Sequence, residues 1–340
     1  MRLWWSVAPC HFWLVWQVSA QPAPAYYPPA LDKAGRPLRE ALHQIVRGHT
    51  ALPYTSSTRT DTRAALAVLW QHPQDTNLLW LTYAQRYQPI STFGTATGWN
   101  REHRWPNSLG LFSAEPAYSD LHHLHPDDAT VNGLRSNKYY DESNPNEPDY
   151  RQPAHFEAPQ CSSDTNSWAA PPAARGDIAR SLFYMAIRYT GDTLGEPALR
   201  LTDETNRIVT GAPYMGRLRT LLEWHHADPP DDAERRRNDL IDQLYQHNRN
   251  PFVDHPEWVN LAFAPPPGHA PRLEMARALN HWRLRWMATN QFCLLETAPT
   301  PTGAWTTVES PSVLTNAHFE LLWPSSPAVR AQFFRLRVVD

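Results

Sequence analysis

Apolar residues at Leu31, Leu38, Leu42, Ile45 and Val46 recur with helical spacing and predict a helix from Leu31 to Val46. Thr60-Asp61 is placed to cap a second helix carrying Leu66, Val68, Leu69 and Trp70. Leu78 to Tyr83 is a short apolar run that predicts a buried strand, and residues 85–98, rich in Thr, Gly and Gln, predict a loop. Residues 141–174 carry Pro, Asn and Ser throughout and read as a long irregular excursion. Asp177 is expected to cap a helix with Ile178, Leu182, Met185, Ala186 and Tyr189 along one face, ending at Gly191. Leu218, Leu221 and Leu222 mark another helix that stops before Pro229. Residues 232–246 form a third, with Leu240, Ile241, Leu244 and Tyr245 inward.

The period then changes. Residues 264–271 are a Pro-rich linker, and beyond it His281–Met287, Phe292–Glu296, Trp305–Val308, His318–Leu322 and Phe333–Val338 are short runs of strand type. The expected fold class is α+β: a mostly helical domain over 21–263, then a small all-β sandwich over 272–340. At the amino terminus, Arg2 precedes the apolar stretch Leu3–Val18, and Val18-Ser19-Ala20 supplies small residues before Gln21. Residues 1–20 therefore read as a signal peptide, implying a secreted or periplasmic protein with no stable membrane insertion after cleavage.

Composition refines this. The 340 residues suit two domains, and the 33 Pro point to ordered loops between helices. A net charge of −3 means that any affinity for a polyanion must come from a local patch. Of 31 basic residues only Lys33 and Lys138 are lysine. Three cysteines cannot make a disulfide framework; Cys10 leaves with the signal, and Cys161 and Cys293 read as unpaired.

The chemistry is concentrated between Trp99 and Lys138. The segments are Trp99-Asn100-Arg101-Glu102-His103-Arg104-Trp105-Pro106, Asp120-Leu121-His122-His123-Leu124-His125-Pro126-Asp127 and Val131-Asn132-Gly133-Leu134-Arg135-Ser136-Asn137-Lys138. Glu102 offers a hard oxygen ligand beside an imidazole that titrates near neutrality, and Asn132, 29 residues past His103, offers a neutral oxygen. Such a set suits Mg²⁺ or Ca²⁺ better than Zn²⁺. Arg101, Arg104, Arg135 and Lys138 surround it with cations, and the combination describes phosphodiester hydrolysis. In a regular strand Glu102 and His103 point to opposite faces, so a shared site needs the strand to end or bulge there, and Trp105-Pro106 favours an ending. A helix begun at Asp128 puts Asn132, Arg135 and Ser136 on one face.

These segments resemble the bacterial endonuclease I family, a branch of the His-Me finger, or ββα-metal, nucleases. The resemblance continues through Arg175-Gly176-Asp177-Ile178-Ala179-Arg180, Phe183-Tyr184-Met185 and Asn248–Glu257, and covers roughly residues 26–262. It implies that His103 is the general base and that Glu102 and Asn132 hold one divalent metal, Mg²⁺ or else Ca²⁺ or Mn²⁺. It further implies an exported enzyme that cuts DNA, and often RNA, through backbone phosphates with little sequence preference, leaving 5′-phosphate ends. Some members place an Arg on the cleaved phosphate between the His and the second strand, but residues 107–119 contain none. That role falls to Arg101, Arg104 or Arg135, with Arg104 and Arg135 assigned to catalysis. Arg101, His123 and Ser136 are expected behind the ligands or on the phosphate. The cysteines that brace this region in some members are also missing.

Other readings compete. His122, His123 and His125 suggest a Zn²⁺-dependent hydrolase of other esters, but strand alternation puts His123 opposite the other two. A binding protein with a degenerate nuclease domain is opposed by the intact Glu102, His103 and Asn132. Asn248–His255 reads as a turn pinning the last helix, Arg235–Arg237 as a solvated helix face, and Trp282, Trp286, Trp305 and Trp323 as core. The oligomeric state is left open.

Overall fold

The computed structural model describes residues 26–113, 115–264, 271–278, 280–289, 291–310, 312–315, 317–325 and 331–339. The signal segment and most of the linker lie outside these residues.

Helix α1 is Gly35–Val46 and buries Leu38, Leu42 and Val46. It starts four residues later than the periodicity predicts, because Asp32 takes a positive φ of 61° and Leu31 stays exposed. Helix α2, Thr62–Leu69, is capped by Asp61, whose carboxylate accepts from the Ala64 N–H at 2.9 Å. Strands β1, Leu78–Leu81, and β2, Arg86–Pro89, pair antiparallel. The 85–98 loop of the sequence reading thus contains a strand, whose alternating polar residues gave no apolar signal. Strand β3, Trp99–His103, pairs with β4, Leu124–Asp128, and β4 runs directly into helix α3, Ala129–Arg135.

Helix α4, Arg175–Arg188, is the centre of the larger core, with 11 of its 14 residues buried. Asp177 sits inside its first turn rather than capping it, and pairs with Arg180 and Arg237. The one-sided apolar pattern understates this helix because Arg180 and Arg188 are also inside, neutralised by Glu234 at 2.6 Å and Glu196 at 2.7 Å. Helices α5, Leu218–Ala227, and α6, Asp232–Leu240, follow; α6 is capped by Asp231 and continues as a π turn to Tyr245. Leu244 in that turn is exposed, not inward. Short helices α7, Pro251–Asp254, and α8, Trp258–Phe263, close this part. A second, smaller core lies under α2 and β1, where Leu66, Leu79, Trp99 and Leu124 meet Ile241. Strands β3 and β4 contribute Trp99 and Leu124 to this smaller core.

Beyond residue 271 the chain forms two antiparallel sheets. One holds Glu274–Ala278, His281–Met287, His318–Pro324 and Val313–Thr315; the other holds Thr306–Thr307, Phe292–Ala298 and Phe333–Val339. Trp323 of the first meets Phe334 of the second with ring centroids 5.4 Å apart. The strands 274–278 and 313–315 were absent from the sequence reading. Trp286 is buried, while Trp282, Trp305 and Trp323 are half-buried. The architecture is α+β, as expected.

Candidate active site

The β3–β4–α3 unit places the residues singled out in sequence. Its register sets Glu102 opposite His125 and His103 opposite Leu124. Asp128 joins β4 to α3 as N-cap, its Oδ1 accepting from the N–H groups of Thr130 at 2.9 Å and Val131 at 3.2 Å. β3 ends at His103, as the chain turns into Trp105-Pro106. Glu102 and His103 have separate partners, Glu102 in the interior and His103 at the rim.

His103 is half-buried beside two tyrosines. Its ring lies 4.4 Å from that of Tyr118 and 5.5 Å from that of Tyr54, both nearly parallel to it. His103 Nε2 is 2.9 Å from the Tyr118 carbonyl. A carbonyl only accepts, so Nε2 carries the proton and Nδ1 keeps its lone pair. Burial, followed by the neighbouring His123, pushes the imidazole pKa down to about 3. His123 repeats the arrangement one residue back along the same loop: its Nε2 donates to the Ala117 carbonyl at 2.9 Å, and its ring is 5.3 Å from that of His103.

Glu102 is buried. Its Oε1 accepts from Arg135 Nη1 at 2.8 Å and from the Tyr83 hydroxyl at 3.0 Å, and Oε2 accepts from no described residue. Burial pushes its carboxyl pKa up, opposed by Arg135 and Tyr83. Asn132, half-buried on α3, donates through Nδ2 to Asn100 Oδ1 at 2.7 Å and to the Arg101 carbonyl at 3.3 Å. Two oxygen partners on that side fix the amide, so Oδ1 faces away from them.

The arginines differ from expectation. Arg135 has no exposed surface, and its fork is spent on Glu102, on the His103 carbonyl at 2.8 Å and on the Arg104 carbonyl at 2.9 Å. Arg104 is turned into the interior, with Nη1 donating to the Asp177 carbonyl at 2.9 Å. Neither guanidinium is placed to meet a substrate phosphate, because adjacent strand and helix positions carry them inward. Arg101 keeps some exposure; it lies 3.5 Å over the Tyr54 ring and donates to the Tyr54 carbonyl and to Thr62 Oγ1 at 3.0 Å. Ser136 is exposed just past α3, apart from the buried face that holds Arg135.

The other histidines do not converge. His122 Nε2 lies 3.3 Å from Asn248 Oδ1, and His125 is buried against Tyr83 and Trp70. Among the described residues no group of three or more His, Cys, Asp and Glu is arranged to hold a metal ion. Cys161 and Cys293 are both free. Of the Arg235–Arg237 run, Arg235 and Arg236 are exposed, but Arg237 packs 4.0 Å over Trp70.

Sequence reasoning missed Tyr54, Tyr83 and Tyr118, which carry no motif and reach the site only through the fold. It also passed over what Asp120 does. Asp120 Oδ1 accepts from the His122 N–H at 2.9 Å and Gln246 Nε2 at 3.1 Å, and Oδ2 from the hydroxyls of Tyr184 at 2.9 Å and Tyr189 at 2.8 Å. Burial would raise its pKa, but facing histidines and these donors hold it well below the usual carboxylate range. Asp120→Ala strands these donors and is expected to cost about 3 kcal/mol or more, measured by urea unfolding at neutral pH. With the folded pKa depressed, the contribution is complete above the ordinary carboxylate range and disappears as pH falls through the folded value. The gap between wild type and variant should therefore narrow in acid. An equal gap at pH 7 and pH 3 would contradict the carboxylate role.

The family model for Endonuclease I matches residues 35–257. An extracellular ribonuclease of Bacillus amyloliquefaciens is 42% identical over 237 residues, covering 69% of this chain and 76% of that protein. An extracellular ribonuclease of Bacillus subtilis (strain 168) is 40% identical over 237 residues, covering 69% of this chain and 77% of its own. Among the described residues no helix is long and apolar enough to cross a membrane. With the family model spanning the whole finger and the helices that support it, this chain belongs to the Endonuclease I family and is a nuclease acting on phosphodiester bonds.

Proposed function

We propose that the chain is an exported, metal-dependent endonuclease that hydrolyses RNA and DNA with little sequence preference. The observation that carries the mechanism is the bond from His103 Nε2 to the Tyr118 carbonyl, which fixes the tautomer and leaves Nδ1 as the base. Nδ1 takes a proton from water as it attacks phosphorus. Tyr54 and Tyr118 hold the ring in plane for that transfer. Export rests on the apolar stretch before Gln21 and on relatives named as extracellular. The RNA reading rests on those relatives being ribonucleases.

The donor set fits a hard divalent ion. Glu102 Oε2 and Asn132 Oδ1 are oxygens without described partners, and few protein ligands suit an ion that keeps its water, as Mg²⁺ does. When bound, Mg²⁺ would neutralise charge on the phosphate and the leaving oxygen. Arg135 pairs with Glu102 at 2.8 Å and opposes the rise in carboxyl pKa that burial causes. Of the three candidate arginines, Arg101 alone faces solvent and is assigned to the phosphate.

Purified protein should degrade both single-stranded RNA and plasmid DNA with Mg²⁺ and stop with EDTA. Activity that survives EDTA, or that needs Zn²⁺, would sink this reading. Asn132→Ala should weaken Mg²⁺ affinity, so that activity falls and partly recovers at high Mg²⁺; a loss independent of Mg²⁺ concentration would remove Asn132 from the ligand set. Truncation after residue 264 should leave most nuclease activity, because the matched region ends before the two C-terminal sheets. A soluble, folded but inactive fragment would assign those sheets a part in catalysis.

A further inference from the structure

A cleft of about 490 Å³ opens beside the β3–β4–α3 finger, between Leu109, Asn137, Lys138, Asn166, Asn206 and Thr210. The β3–β4 connection and the end of α3 meet there. Leu109 lies six residues past His103, and Asn137 five past Asn132. Five extended residues span at most about 18 Å, which sets the upper limit on the distance from Asn132 to the cleft wall at Asn137.

The fold spends strain and close packing on this place. After α3 ends, the Lys138 N–H donates back to the Arg135 carbonyl at 3.2 Å, closing a tight turn. Ser136 occupies its first central position with φ 54° and ψ −125°, a conformation that glycine fits and serine does not. The turn swings Asn137 and Lys138 off the helix path. The opposite wall, residues 205–210, is fastened to the turn after β3 by the Gly211 N–H on the Ser108 carbonyl at 2.9 Å. Pro213 presses against Gly110, where a Cβ would come within 2.7 Å, and Gly110 holds φ +100°.

The lining chemistry is selective. No carboxylate lines the cleft among the described residues, and Lys138 supplies a cation whose Nζ is steadied by Ser163 Oγ at 3.2 Å and the Asp164 carbonyl. Asn137 bridges the walls through Nδ2 to Thr210 Oγ1 at 3.2 Å, leaving Oδ1 to accept. Asn166 and Asn206 are exposed, and Leu109, Ile208 and Val209 add apolar surface. Amides and hydroxyls that both donate and accept match a ribose 2′-hydroxyl and a base edge, whereas simple phosphate tracking would call for more cations. We propose that this cleft takes the ribonucleotide flanking the cut and recognises its 2′-hydroxyl, so that it favours RNA over DNA; the proposal rests on the nuclease reading above.

The test compares the wild type with an Asn137→Ala/Asn206→Ala double variant. The probes are a labelled single-stranded RNA and its all-deoxy counterpart, with EDTA present so that binding is read without cutting. The wild type should bind the RNA more tightly, and the double variant should lose about 10-fold on RNA and less than about 2-fold on DNA. Equal losses on both, or no loss, overturn the proposal. Adding Mg²⁺ separates the two readings. An RNA preference that the double variant abolishes, without any cutting by the wild type, supports the cleft and overturns the nuclease mechanism. Cutting of both probes with no binding preference overturns the cleft and leaves the mechanism standing.

Discussion

His103→Ala is expected to lower kcat on RNA and DNA by roughly 10²–10⁴ while Mg²⁺ binding stays measurable, because the change removes proton transfer and leaves Glu102 and Asn132 in place. The imidazole has its free lone pair fixed by its own hydrogen bond: Nε2 is committed to the Tyr118 carbonyl, so Nδ1 is left to accept. The ring is half-buried and supported from the side by Tyr118 and Tyr54, so its removal should disturb little beyond that stack. Circular dichroism would check the fold, calorimetry with Mg²⁺ the ion, and single-turnover cleavage the chemistry. Added imidazole should restore part of the rate if the lost function is a base. Near-wild-type turnover in His103→Ala at neutral pH would remove His103 from the mechanism, whatever becomes of the metal assignment.

The finger was legible because its parts are local. Asp128 caps the helix that follows it, β3 stops before Trp105-Pro106, and Asn132 follows Asp128 by four residues, so that short-range rules suffice to place them. Five of the seven C-terminal strands among the described residues were legible for the same reason, as alternating runs between turn residues. What could not be read is set by partners far along the chain. Tyr54 reaches His103 from 49 residues away, through a loop anchored by Thr62 Oγ1 on the Tyr54 carbonyl. Asp120 gathers donors from α4 and from Gln246, 126 residues distant. The strand 274–278 is exposed along most of its length and carries no alternating apolar face for a pattern to reveal.

The arginines show a different limit. Arg101, Arg104 and Arg135 look alike as cations beside a candidate site, and a sequence gives no sign of which face of a strand or helix is covered. Arg104 follows the last residue of β3 and is drawn under Trp70, while Arg135 ends α3 on its covered side. Charge near a motif therefore marks a neighbourhood, and burial decides which cation serves the substrate and which serves the fold.

Arg135→Ala should accordingly act on the finger's stability more than on substrate affinity. The guanidinium has no exposed surface, forms its ion pair with Glu102 at 2.8 Å, ties the carbonyls of His103 and Arg104, and lies 4.5 Å over the Tyr140 ring. Removing it leaves a buried carboxylate without its cation and two carbonyls without a donor, a loss of about 3–5 kcal/mol. The expected result is a lower urea midpoint, with Mg²⁺-dependent activity falling because Glu102 loses the guanidinium that orients it. Arg135→Lys should be intermediate, since an ammonium keeps the charge but cannot present the planar fork that reaches three acceptors together. Glu102→Gln paired with Arg135→Met should recover part of the stability and none of the activity, since the buried charges are removed as a pair. If Arg135→Ala instead kept the wild-type midpoint and raised KM for nucleic acid alone, Arg135 would be a phosphate contact after all, and the finger would have to open on substrate binding to expose it.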